Sequence, residues 1–109
     1  MCGIFSFLNQ KKDEVNKSIL TNFLKGSRRG PESSRIINPI SKCQMGFHRL
    51  AISTTKETAN QPIELNDCVL ICNGEIYNYK YLFNLIKMEN KTGSDCEIII
   101  HMYLKFGIE

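Results

Sequence analysis

MCGIFSFL, Met1–Leu8, sets a cysteine directly behind the initiator methionine and then runs into Gly3–Leu8, a stretch apolar at odd and even positions alike. CVLIC, Cys68–Cys72, has the same character. Side chains alternate across a strand, so a run that is apolar on both faces predicts a strand covered from both sides, as in a layered sheet. A third candidate strand, MGFHRLAIS (Met45–Ser53), mixes apolar residues with His48 and Arg49. Val15, Ile19, Leu20, Phe23 and Leu24 recur at helical spacing and predict a helix that stops near Gly26, ahead of the turn in SRRGPESS. Asn73-Gly74 signals a turn after the second buried strand, and Tyr79, Leu82, Phe83 and Ile86 then mark one face of a helix. Ser94 and Glu97 have capping-box spacing before a last helix, whose buried stripe is read as Cys96, Ile99, Ile100, Tyr103 and Leu104. The predicted order is strand, helix, strand, strand, helix, helix, in a layered α/β or α+β architecture.

With 109 residues, 42% of them apolar and 23% charged, the chain reads as one ordinary globular domain or a piece of one. Its net charge of +3 is small, and the one local cluster, NQKKDEVNK (Asn9–Lys17), carries both signs. It is read as a solvated turn and helix start, so no nucleic-acid partner is expected. No basic segment precedes the first apolar run, and no apolar run approaches the ~20 residues that span a bilayer. A soluble, cytoplasmic protein without a membrane partner is expected. Five cysteines, an odd number without a secretory leader, argue against a disulfide framework. Cys68 and Cys72 would stand roughly 13 Å apart along a strand, too far to share a metal or a disulfide. Cys43, Cys68, Cys72 and Cys96 are therefore read as small buried hydrophobes, and no metal site is expected.

Cys2 differs because of where it stands. Once Met1 is removed, its own α-amino group, with a reference pKa of about 7.7–8.0, can take the thiol proton and later return one to a leaving amine. Attack on an amide creates an oxyanion that needs preorganised donors. Asn73 and Gly74 offer a side-chain amide and an unhindered N–H, although an isolated Asn-Gly also reads as a plain strand-end turn. Arg49 interrupts an apolar strand and either meets a carboxylate or faces outward from the sheet. Asp95, in the first turn of the last helix, either complements the helix dipole or holds an ammonium group. Together Cys2, Arg49, Asn73, Gly74 and Asp95 suit a substrate with an amide at one end and an amino-acid head group at the other, such as glutamine.

The ordered motifs MCGIF, RRGPESS, HRLAI, QPI, NGEIYNY and TGSDCE span the whole chain. They closely resemble the class II glutamine amidotransferases of the N-terminal-nucleophile hydrolase type, and within that group the glutaminase domain of asparagine synthetases. The resemblance implies an α+β fold, the N-terminal part of an αββα sandwich of two antiparallel sheets between helical layers. It implies Cys2 as nucleophile after Met1 removal and Asn73 and Gly74 as oxyanion hole. Arg49 would pair with the glutamine α-carboxylate, and backbone from Leu50, Ala51, Ile52 and Ser53 would line the pocket. Glu75 and Asp95 would hold the α-amino end, and Arg29, Gly30 and Pro31 form the loop that borders the site. The chain departs from the family pattern at Arg28 and Glu32, where a histidine and an aspartate are usual. It also departs at Ser53-Thr54-Thr55, where an acidic residue is common, and in the segment before Gln61, which lacks the usual glycine.

The family's glutaminase domain is nearly twice this long and is followed by an ATP-using synthetase domain. Residues 1–109 are thus expected to form a partial glutaminase domain without the synthetase's SGGxDS-like loop. No cofactor is expected for the glutamine step; ATP and Mg would enter only with an attached or partnered synthetase domain, which would accept the ammonia. Two functions stay open on these grounds: hydrolysis of L-glutamine through a Cys2 thioester, and a catalytically silent fragment that binds or scaffolds.

Overall fold

The structure, a computed structural model, describes residues 2–8, 17–52 and 54–108. Its elements are β1 (Gly3–Leu8), α1 (Lys17–Leu24), β2 (Ser33–Ile37), β3 (Cys43–Arg49), β4 (Ile63–Leu65), β5 (Cys68–Leu70), α2 (Tyr79–Ile86) and α3 (Glu97–Phe106). One antiparallel sheet has the order β1-β3-β2, and β4 and β5 form a second, two-stranded antiparallel sheet. The fold is therefore α+β with two antiparallel sheets and helices. No helix among the described residues is long and apolar enough to cross a membrane. The turn read over Asn9–Lys17, and Val15 of the first helix, lie outside the described residues apart from Lys17.

β3 is central because both its edges are paired. Gly3 lies opposite His48 and Phe5 opposite Gly46 on the β1 side, while Ser34 lies opposite His48 on the β2 side. Alternation sends Gly46 and His48 to one face and Phe47 and Arg49 to the other. Helix α1 covers the first face: Phe23 stacks on the His48 ring at 4.2 Å, and Phe5 meets Phe23 edge-on at 5.7 Å. His48 is buried and satisfied at both nitrogens. Its Nε2 donates to the Phe23 carbonyl at 2.8 Å, which leaves Nδ1 to accept from the Ser34 hydroxyl at 2.7 Å. Gly46 leaves room for the Phe23 ring, since a Cβ there would lie 2.5 Å from Phe23 Cε2. Gly30 is more constrained still: a Cβ would lie 2.2 Å from the His48 carbonyl oxygen, so the loop before β2 crosses β3 at backbone contact.

The second half is built around α2 and α3, whose Phe83, Ile86 and Ile98 form a core flanked by Ile76, Tyr79, Leu82, Ile99 and Met102. The sequence reading of the α2 face agrees with this; the reading of α3 holds only in part. Cys96 and Ile100 are buried and Ile99 packs on this core as the sequence reading has it, but Tyr103 and Leu104 are half exposed, and Glu97, Ile98 and His101 turn inward in their place. The reason is polar. The Glu97 carboxylate accepts from Lys91 N, Thr92 N and Thr92 Oγ1 at 3.0, 2.6 and 2.7 Å, and from His101 Nε2 at 2.9 Å. Glu97 thus folds the preceding loop rather than completing the predicted capping box with Ser94, whose hydroxyl accepts from Cys96 N at 3.2 Å. Burial alone would push the Glu97 carboxyl up, but these four hydrogen bonds outweigh it and hold the carboxyl below its ordinary value of 4.5.

Two further readings are corrected. Gly3–Leu8 is not covered on both sides: α1 lies over one face, while Ile4 and Leu8, on the other, are 52% and 63% exposed. CVLIC is strand only over Cys68–Leu70 and is half-buried, and Cys68 and Cys72 are only partly buried, unlike Cys43 and Cys96. Strands β2 and β4 were not anticipated. The β4–β5 hairpin did carry a signal, because Asn66 and Asp67 take φ of 50° and 60° in its two-residue turn, a conformation these residue types tolerate.

Two outcomes are expected. Gly30→Ala should cost about 2 kcal/mol or more, a fall of roughly 10 °C in Tm, and Gly46→Ala should cost less because a ring yields where backbone does not. Because the folded-state Glu97 carboxyl lies below its unfolded value, its stabilisation is complete above that value and is lost as pH falls through the folded one. Glu97→Gln should therefore lower Tm at neutral pH by the equivalent of about 1.5–3 kcal/mol, and flatten the acid slope of stability measured by thermal melts below pH 4.5.

Candidate functional site

Between the end of β3 and the segments that follow β5 and precede α3 lies a cavity of about 280 Å³, lined by Cys2, Arg49, Leu50, Ala51, Ile52, Asn73, Gly74, Glu75 and Asp95 among others. Every residue read as catalytic or glutamine-binding lines this cavity except Ser53, which lies outside the described residues; Arg29, Gly30 and Pro31 of the bordering loop are not among the lining residues. The volume is near the lower end for small-molecule sites, about 300 Å³, and so suits a small metabolite.

The β1–β3 register delivers Cys2. With Gly3 opposite His48, the next pair inward is Cys2 and Arg49, on the face of β3 away from α1. The Cys2 sulfur sits 3.4 Å from both the Leu50 N–H and the Leu50 carbonyl, and Arg29 Nε donates to the Cys2 carbonyl at 3.2 Å. Arg29 belongs to the RGP loop held down at Gly30, so that loop anchors the first described residue. Glu32, just after it, accepts from Ala51 N at 3.0 Å. Glu32 thus reaches across to the segment after β3 that carries Leu50 and Ala51.

Arg49 does not face open solvent. Its Nη2 donates to the carbonyls of Thr54 and Lys56 at 2.8 and 2.9 Å, wrapping the segment after β3 around the guanidinium. Those bonds use both Nη2 hydrogens and leave Nε and Nη1 for an anionic acceptor, with no further partner among the described residues. Asp95 precedes α3 rather than lying in its first turn. It is buried, and its Oδ2 accepts from Ile76 N at 2.6 Å. Glu75, Asn73 and Gly74 are exposed at the cavity mouth. The wall therefore carries a cation at Arg49 and carboxylates at Asp95 and Glu75, with a thiol and amide donors at Cys2, Asn73 and Gly74.

Sequence reasoning missed several lining groups. Cys72 and Cys96, read as inert hydrophobes, border the cavity, and Cys96 Sγ donates to the Gly74 carbonyl at 3.6 Å. Burial, then the neighbouring Cys72 and Asp95, push the Cys96 thiol up to about 12, so it serves as a neutral donor. Gln61 was seen only as part of QPI. Its side-chain amide grips Cys72, Nε2 donating to Cys72 O at 3.1 Å and Oε1 accepting from Cys72 N at 2.6 Å. No grouping of three or more His, Cys, Asp or Glu side chains suited to a metal ion occurs among the described residues.

A family model described as a glutamine amidotransferase domain matches residues 1–109. The chain is 37% identical over 114 residues to the glutamine-hydrolysing asparagine synthetase of Mesocricetus auratus, covering 100% of this chain and 20% of that protein. The corresponding proteins of Gallus gallus and Homo sapiens are each 36% identical over 114 residues, with the same coverage. The chain thus spans about a fifth of the length of these curated relatives. A family match over the whole chain, and a cavity that gathers the sulfur of Cys2 with Arg49, Asn73, Gly74 and Asp95, lead to one conclusion: the chain belongs to the glutamine amidotransferase domain family.

Proposed function

We propose that this chain hydrolyses L-glutamine to glutamate and ammonia through a thioester on Cys2, and that the ammonia serves an asparagine-synthetase-type amidation. The observation that carries this reading is that the Cys2 sulfur lines the same cavity as amide donors, a guanidinium and two carboxylates. In this scheme Met1 is removed and the Cys2 α-amino group takes the thiol proton. The thiolate attacks the glutamine carboxamide carbon, and the oxyanion is held by Asn73 Nδ2–H and the Gly74 N–H. Collapse of the tetrahedral species breaks the C–N bond. Ammonia leaves with the proton returned from the amine, and water, deprotonated by the same amine, cleaves the thioester to glutamate. Arg49 Nε and Nη1 bind the substrate α-carboxylate, while Asp95 and Glu75 bind its α-ammonium; Leu50 to Ser53 supply the backbone wall.

On this reading the two sheets are parts of an αββα sandwich of the N-terminal-nucleophile type, and residues 1–109 are part of a larger glutaminase domain. The product ammonia would pass to a synthetase domain or subunit in the cytoplasm, and ATP and Mg²⁺ enter only there. A chain that folds and binds glutamine without turnover would be a binding module instead.

Intact mass before and after diazo-oxo-norleucine separates these outcomes. The expected result is loss of Met1 and one covalent adduct, absent in Cys2→Ala and suppressed by glutamine. A folded chain that takes no adduct, or a Cys2→Ala protein hydrolysing glutamine at the wild-type rate, overturns the proposal. Arg49→Met should raise KM for glutamine about 10–100-fold with a smaller change in kcat, since the α-carboxylate is bound alike in ground and transition states.

A further inference from the structure

Strands β4 and β5 pair Leu65 with Cys68, Glu64 with Val69 and Ile63 with Leu70. Continued by two residues, this register sets Gln61 opposite Cys72. The ladder does not continue: the Gln61 N–H donates instead to Asn60 Oδ1 at 2.9 Å, and the Pro62 carbonyl accepts from Arg35 Nη1 at 3.0 Å. The Gln61 side chain takes over. A primary carboxamide has the same donor and acceptor as a peptide unit, and here it meets both backbone groups of Cys72, at 3.1 and 2.6 Å. Gln61 is 6% exposed, so its amide would be costly to bury without this pairing. Two more contacts hold the following segment: Cys96 Sγ to the Gly74 carbonyl, and Asp95 to Ile76 N. Asn73 and Gly74 lie between these holds and carry no regular secondary structure of their own.

We propose that Gln61 is a positioning residue, a side-chain surrogate for a missing ladder peptide, which orients the Cys72–Asn73 peptide and hence the donors at Asn73 and Gly74 toward the reacting amide. This deepens the glutaminase reading and rests on it. Gln61 acts through Cys72 and does not itself bind substrate. Misaligned oxyanion donors weaken binding of the transition state more than of the substrate, so the loss falls on kcat.

The test uses the full chain, with glutamine as substrate, and compares Gln61→Ala and Gln61→Glu with wild type. Gln61→Ala should lose about 10–100-fold in kcat while KM stays within about threefold. Gln61→Glu carries a built-in check. Protonated, its carboxyl accepts from Cys72 N and donates to Cys72 O as the amide does; ionised, it sets a negative charge against that carbonyl. Burial and the carbonyl raise the glutamate above its ordinary value of about 4.3, so between about pH 8 and pH 5 its kcat should climb several-fold relative to Gln61→Ala. A general loss of stability would not produce that ratio. Unchanged kcat in folded Gln61→Ala, a loss confined to KM, or parallel pH profiles for the two variants overturns the proposal. Hydrogen exchange of wild type decides the matter if the variants do not fold: the Cys72 amide should exchange far more slowly than Asn73 and Gly74, and equal rates overturn it. A wild-type chain inert to both glutamine and diazo-oxo-norleucine overturns the glutaminase reading itself, and the Cys72 exchange rate still reports separately on the Gln61 contact.

Discussion

The pairing of β1 with β3 is the constraint on which the site depends. Gly3 opposite His48 joins residues 45 positions apart in sequence and sets the Cys2 sulfur 3.4 Å from Leu50 N. A slip of one residue would send Cys2 to the α1 face, because strand side chains alternate. Several features guard against that slip. Phe5 and Gly46 share the α1 face, and the Phe23 ring lies where a Cβ on Gly46 would otherwise be. His48 spends both ring nitrogens on fixed partners, and Gly30 lets the RGP loop cross at backbone contact so that Arg29 reaches the Cys2 carbonyl.

The opposite wall is organised differently, by side chains that do the work of backbone. Gln61 stands in for a strand residue at Cys72, and Glu97 gathers three donors of the 91–92 segment, which leads into Ser94, Asp95 and Cys96. Both are polar groups buried at some desolvation cost, offset because each meets donors and acceptors of matching geometry. The cavity therefore has one wall held mainly by sheet register and another held by side chain to backbone bonds.

Much of this was legible in the primary structure. A short run apolar on both faces placed Gly3–Leu8 as a strand, 3.6-residue spacing placed α1 and α2, and the six ordered motifs identified the family and the cavity-lining residues. Elsewhere local pattern misled. Ser94 and Glu97 have the spacing of a capping box, but the Glu97 carboxylate was claimed by Lys91, Thr92 and His101, which brings Glu97 and His101 inside and leaves Tyr103 and Leu104 half exposed. Strand β2, SSRII, has few apolar residues and forms because β3 offers it an edge. The β4–β5 hairpin was readable from Asn66-Asp67, and the short length of its strands hid it.

The sequence by itself determined which residue types are present to act: a cysteine behind Met1, an arginine inside a strand, an Asn-Gly after a strand, and an aspartate at the start of the last helical segment. Such identities and short-range spacings are properties of the chain. Only the tertiary structure decided that Arg49 wraps Thr54 and Lys56 before it can meet a ligand, that Cys96 is a donor rather than filler, and that Gln61 completes β5. Those outcomes depend on which buried donor finds which acceptor across tens of residues. Periodicity carries no information about that pairing, because hydrogen-bond satisfaction in a buried site is settled by the whole packed arrangement.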